Sequence, residues 1–128
     1  MSRIRSRDTN PEKKLRSLLH KAGYRFRIHV RQLPGRPDIV LPKYRTVIFV
    51  HGCFWHRHAG CKYAYTPKSR IEFWENKFLG TIERDLKKTN ALVTTGWQVL
   101  VVWECELANA QVVLMGIIEK LKEVRNGS

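Results

Sequence analysis

The sequence predicts an α/β fold, a three-layer sandwich with a mixed central sheet and helices on both faces. Three observations carry this reading. Apolar residues recur at helical spacing in three stretches. They alternate or run together in four stretches of strand length. The order is helix, three strands, long helix, strand, helix, which buries every apolar face only if helices cover both sides of one sheet. The 128 residues, 43% of them hydrophobic, fit a single domain over 1–128 with an ordinary core.

Each element has its own signal. Thr9-Asn10-Pro11-Glu12 fits a capping box with Thr9 as N-cap. Leu15, Leu18, Leu19 and Ala22 follow at helical spacing, and Gly23 is a natural stop. Tyr24, Phe26, Ile28 and Val30 alternate with Arg25, Arg27, His29 and Arg31, which predicts a strand with one core face and one basic face. The turn Leu33-Pro34-Gly35-Arg36-Pro37 leads into a short strand over 38–41, and a second turn falls at Pro42 and Lys43. Thr46-Val47-Ile48-Phe49-Val50 reads as a central strand buried on both faces. After Gly52 comes an irregular stretch rich in His, Cys and aromatics. Ser69-Arg70-Ile71-Glu72 repeats the capping-box pattern and opens a long helix, with a bend near Gly80, that ends at Gly96. Residues 97–103 form another strand, and Val113, Leu114, Ile117, Ile118 and Leu121 mark a last amphipathic helix.

The charge narrows the partners. With 24 Lys+Arg against 11 Asp+Glu, a formal net charge of +13 favours a polyanion through long-range attraction and counterion release. No stretch is long and apolar enough to span a bilayer and no signal-peptide pattern opens the chain, so no membrane partner is expected. Three cysteines make a poor disulfide framework, which points to a reducing compartment, the cytoplasm.

Cys53, Cys61 and Cys105, with a histidine between the first two, offer a Cys3His set of the kind that holds structural zinc. Spacing alone leaves the histidine open between His56 and His58, and three buried free cysteines are the plainer alternative. Asp38 stands at the start of one strand and His51 at the end of the next. Metal-dependent nucleases often set an acidic residue beside a group on the neighbouring strand, where a carboxylate anchors Mg²⁺. A histidine, His51 or His56, suits the role of base for the attacking water, and Asp85 is available to orient it. Each residue also has an ordinary reading. Asp38 is compatible with a simple turn, Glu12 with a helix cap, Asp85 with a solvated ion pair, and Phe73 and Trp74 with core.

Taken together, Pro34-Gly35-Arg36-Pro37-Asp38, the run from Val47 through His51-Gly52-Cys53-Phe54-Trp55-His56, Phe73-Trp74, Glu83-Arg84-Asp85, Gly96-Trp97 and Val102-Trp103-Glu104-Cys105 closely resemble the very short patch repair DNA mismatch endonucleases. The resemblance spans nearly the whole chain in order. It implies a fold related to type II restriction endonucleases and a nick 5′ of the thymine in a T·G mismatch left by deamination of 5-methylcytosine. It implies Asp38 and the backbone carbonyl of Val50 as magnesium ligands. His51 and His56 would sit at metal-bound waters and phosphate, with His56 the base supported by Asp85, and Glu12 would reach a metal-bound water. It implies Cys53, His58, Cys61 and Cys105 as the zinc ligands. Phe54, Trp55 and Trp74 would form a wedge entering the duplex beside the mismatch, where unstacking is least costly. Phosphate contacts from Arg25 and Arg27 are inferred from the basic strand face and not from the resemblance.

The chain departs from the family pattern in three places. It begins close to the first shared segment, the longer N-terminal arm of the family being either absent or trimmed, and Met1 falls where members carry a methionine that joins the wedge. Val50 replaces a threonine, and one more residue stands between His58 and Cys61. A monomer working on double-stranded DNA, with mismatch-repair proteins as candidate partners, is expected. Two other readings stay open. One is a restriction-like or structure-specific endonuclease of the same fold. The other is a zinc-stabilised DNA-binding module without catalysis.

Overall fold

The computed structural model describes residues 10–28, 30–52 and 67–126, the last two by backbone only. Helix α1 (Asn10–Lys21) buries Leu15 and Leu19, one turn apart on one face. Thr9, the expected cap, lies outside the described residues. The helix stops at Gly23 as expected: its N–H bonds to His20 O at 3.0 Å and that of Tyr24 to Leu19 O at 3.1 Å, the paired bonds of a Schellman motif.

Three strands form the sheet in the order β1-β2-β3. The central strand β2 (Thr46–His51) pairs antiparallel with β1 (Ile39–Leu41) and parallel with β3 (Gln98–Trp103). The sheet is therefore mixed. Alternation along the strands divides the core in two. Ile39, Leu41, Ile48 and Val102 face α1 and the last helix, α3 (Ala110–Asn126), where Leu15, Leu19, Ile117 and Leu121 meet them. Val40, Val47 and Phe49 face the other way and pack with Leu92 of the long helix α2 (Ile71–Thr94). The three-layer α/β arrangement is the one expected. Each fully buried Leu or Ile contributes roughly 1.5–3 kcal/mol, so these two clusters hold the layers together.

The expected strand over 24–31 is not formed among the described residues. Among the described residues it is reduced to one bridge, Arg27 to Val40, with N···O distances of 2.8 and 2.9 Å. Two physical reasons account for this. The partner, β1, is three residues long and lies between Pro37 and Pro42, neither of which can donate to a ladder. The segment also changes face: Tyr24 and Phe26 pack on the first core, Val30 and Leu33 on the second. The chain wraps over the sheet edge instead of extending it.

A second correction concerns the start of α2. Ser69 does not cap it. The N-cap is Arg70, in the left-handed region at φ 55, with no side-chain cap bond. Its guanidinium lies 4.3 Å from the centre of the Phe73 ring, a cation–π contact that this backbone turn permits. The helix then runs through Gly80 without interruption. It ends in a second Schellman motif at Gly96, with Trp97 N–H on Leu92 O at 3.0 Å. Arg45 fastens this end to the β1–β2 turn: its guanidinium bonds Thr95 O at 2.9 Å and covers the Trp97 ring at 4.4 Å. A 3₁₀ stretch, Glu104–Asn109, joins β3 to α3, and Lys14 of α1 donates to Leu107 O within it at 2.8 Å.

The turn before β1 sets the position of Asp38. Arg36 N–H bonds Leu33 O at 3.2 Å, and Gly35 takes φ 75, the arrangement of a type II turn with Pro34 before the glycine. A Cβ on Gly35 would stand 2.6–2.9 Å from the side-chain carbons of Lys88 on α2. Gly35→Ala is therefore expected to cost more than the ~1–2 kcal/mol of a left-handed alanine, measured by denaturant unfolding. Adding Lys88→Ala, which removes two of the three clashing carbons, should recover part of the excess. A cost no larger than the backbone term, or no recovery, would contradict the close approach.

Candidate active site

The site lies at one end of the sheet, where β1 begins and β2 ends. Asp38 immediately precedes β1, and its Oδ2 accepts a hydrogen bond from Val50 N–H at 2.6 Å. Glu12, in the first turn of α1, is only 3% exposed. Its carboxyl group is within hydrogen-bonding reach of Asp38. Arg16, one helical turn on, places Nη2 3.2 Å from Glu12 Oε2. Two carboxyl groups from distant parts of the chain thus meet in the interior, braced by one guanidinium and one backbone amide.

The electrostatics follow from this packing. Burial raises the Asp38 pKa to about 7, and the Glu12 carboxyl adds to the rise through its charge and its hydrogen bond; the Val50 N–H and the Arg16 charge work against it. A site that penalises its own second negative charge is suited to a cation. The donors are carboxylate oxygens, the hard ligands that Mg²⁺ prefers over thiolates or imidazoles. The residues present therefore fit a divalent ion of that kind.

His51 closes β2, half-buried, its ring 5.2 Å from Trp103 in an edge-on contact and 5.9 Å from Phe49. Trp103 is its register partner on β3. Asp85 falls one heptad after Phe78 and one before Leu92, both buried, which puts it toward the sheet side of α2. Trp74 is half-buried in the same helix, its ring 5.9 Å from Phe78 and 5.2 Å from Phe73. Cys105 lies two residues beyond β3. Arg25 and Arg27 are exposed at the other end of β1, beside the bridge to Val40. Met1, Cys53, Phe54, Trp55, His56, His58 and Cys61 lie outside the described residues. Among the described residues no three His, Cys, Asp or Glu side chains form a metal cluster.

The structure thus brings Glu12, Asp38 and Val50 together and sets His51 at the end of the same strand as Val50. Two neighbours were not expected from sequence. Arg16 carried a signal, its i,i+4 spacing from Glu12; Trp103 was legible only as a strand residue.

Asp38 at the start of one strand, met by Glu12 from α1 and beside the histidine-bearing end of the neighbouring strand, on a mixed α/β sheet in a strongly basic chain, fits the class of metal-dependent nucleases. The comparisons narrow the class. The family model described as DNA mismatch endonuclease Vsr matches residues 1–62. A type II nicking enzyme, V.XorIIP of Xanthomonas oryzae pv. oryzae, is 54% identical over 109 residues, covering 85% of this chain and 79% of its own. V.NmeAIP of Neisseria meningitidis serogroup A, also a type II nicking enzyme, is 40% identical over 98% of this chain and 89% of its own. The DNA mismatch endonuclease Vsr of Escherichia coli is 50% identical over 84% of this chain and 68% of its own. The chain belongs to the Vsr family of DNA mismatch endonucleases, and it is a DNA endonuclease, a hydrolase of phosphodiester bonds. Among the described residues no helix is long and apolar enough to cross a membrane.

The raised Asp38 pKa has a definite sign. Between its ordinary value of 3.8 and about 7 the folded, metal-free protein holds a proton that the unfolded chain has released. That stabilisation is present in full at low pH and is lost as pH rises through about 7. With chelator present, the unfolding midpoint of the wild type is expected to fall relative to that of Asp38→Asn as pH rises from 5 to 8. Parallel pH profiles for the two proteins would contradict the shift.

Proposed function

We propose that this endonuclease nicks one strand of duplex DNA 5′ of the thymine in a T·G mismatch left by deamination of 5-methylcytosine, and so begins very short patch repair. The observation that carries the catalytic part is the buried Glu12–Asp38 pair against the Val50 amide. The mismatch target rests on the family and on the Escherichia coli relative, a DNA mismatch endonuclease by name. The mixed sheet with helices on both faces agrees with a kinship to type II restriction endonucleases.

Asp38 and the Val50 carbonyl would hold Mg²⁺, with Glu12 on a water of its shell. When bound, the ion offsets the charge that develops on the phosphate during hydrolysis. The chain's own groups do the rest. His56 takes the proton of the attacking water, and Asp85, on the sheet side of α2, holds that imidazole in orientation. His51 donates to a phosphate oxygen, its ring direction fixed by Trp103 and Phe49. Arg16 keeps Glu12 turned toward Asp38.

Cys53, His58, Cys61 and Cys105 would hold a structural zinc ion. The strand register supports this set. His51 and Trp103 are partners on parallel strands, and in sequence Cys53 and Cys105 each follow their partner by two residues. Phe54, Trp55 and Trp74 form the wedge, with Met1 opposite; Trp74 stands on a rigid aromatic base of Phe73 and Phe78.

The test is nicking with Mg²⁺ on matched, T·G and branched duplexes. Only the T·G duplex should be cut efficiently, and Asp38→Asn should lose more than about a hundredfold in rate. Comparable cutting of all three duplexes would indicate a restriction-like or structure-specific target, and undiminished Asp38→Asn would remove the catalytic assignment. Protein purified without added zinc should carry about one zinc per chain. A stoichiometry near zero would sink that site.

A further inference from the structure

Behind the edge bridge, at the end of β1 away from Asp38, the surface holds a half-open hollow of about 560 Å³. Its walls come from two segments, residues 23–27 after α1 and the 3₁₀ turn Pro42–Tyr44. Arg25, Arg27 and Lys43 line it and are all exposed, and among the described residues lining it none is acidic. Tyr24 and Tyr44 form its apolar side, their rings 5.9 Å apart and packed on the first core. The cleavage machinery uses none of these residues.

We propose that this hollow is a second DNA-backbone site, holding phosphodiester groups of the duplex a few nucleotides from the cut. The inference rests on the reading that the chain nicks duplex DNA. Three cations and no acid select an anion. Two core-anchored tyrosine rings exclude water on one side, which strengthens the attraction relative to an open surface. A half-open shape suits a backbone passing through more than a small molecule enclosed. The two sites are also within reach of one duplex. The four residue steps from Asp38 to Pro42 span at most about 14 Å of backbone, or about four base-pair steps of rise. The turn is fixed in place: Tyr24 follows a Schellman stop, and the Arg27–Val40 bridge ties the two walls together. Little ordering is then required on binding.

The experiment measures binding to T·G duplexes of constant total length in which the flank on one side is trimmed and the other extended. Wild type should lose about tenfold in affinity when one particular flank falls below about four pairs. The variant Arg25→Gln/Arg27→Gln/Lys43→Gln should bind the long-flank duplex correspondingly more weakly. It should be insensitive to trimming, and its salt slope should be smaller by about three. If the triple variant fails to fold, Lys43→Gln alone should show a smaller loss of the same kind and a slope lower by about one. A wild type indifferent to both flanks would overturn the proposal, as would a variant that keeps the flank preference or loses the same factor on every duplex. Nicking is recorded on the same duplexes. If wild type fails to cut T·G DNA, the substrate reading falls, while the binding series still decides the hollow.

Discussion

Glu12 and Asp38 meet inside the protein, and much of the fold around them serves that contact. Two carboxyl groups taken from water together are unfavourable by burial and by mutual repulsion. They stay together because α1 is pinned at both ends of its buried face. Leu15 and Leu19 hold it on the sheet, and Lys14 bonds the 3₁₀ stretch after β3. Asp38 in turn is aimed by the Gly35 turn against α2 and held by the Val50 amide. Arg16 offsets part of the charge. A pair so placed has no structural benefit that a leucine would not supply better. Its proposed use is to receive a divalent cation, and in the absence of one burial and the Glu12 charge keep the Asp38 pKa raised to about 7.

The sheet converts this local cost into a site. Parallel pairing of β2 with β3 brings Val50, His51 and Trp103 to one end of the sheet, and the two chain exits there lead toward Cys53 and Cys105 in sequence. A zinc ion at those positions would bracket Phe54, Trp55 and His56. The residues proposed to find the mismatch and the residue proposed to activate water would then share one brace, next to the carboxylates. The proposed remaining pieces stand on the α2 helix in the opposite layer, Trp74 against Phe78 and Asp85 toward the sheet.

Periodicity and stop signals made most of the layers legible. Gly23 and Gly96 end their helices where a positive φ was expected, and the β-branched run over 46–50 is the central strand. The failures have physical causes. Alternation over 24–31 correctly marked Tyr24, Phe26 and Val30 as packed, while Ile28, expected on the same face, is 37% exposed. It could not show that two prolines leave β1 too short to pair with, or that the segment crosses between cores. At Ser69 the local capping pattern is not used: Arg70 holds the N-cap position, with its guanidinium on the Phe73 ring. In the candidate site, Asp38 and His51 were readable from their strand ends. Spacing did not show the Glu12–Asp38 pair, because a capping-box glutamate and a buried site residue look alike until α1 is docked; only the family resemblance implied Glu12 at a water of the metal that Asp38 holds. The choice of His58 over His56 as zinc ligand came from family resemblance and not from spacing.

The central claim is that the buried carboxylate pair is held for a divalent cation. Its most direct test is the unfolding midpoint at pH 8 as Mg²⁺ is added to metal-free protein. At that pH the Asp38 carboxyl is driven toward its ionised form, so the wild type should start less stable than Asp38→Asn and rise with Mg²⁺, while Asp38→Asn should stay nearly flat. An equal rise in both proteins, or no rise in the wild type, would contradict the account.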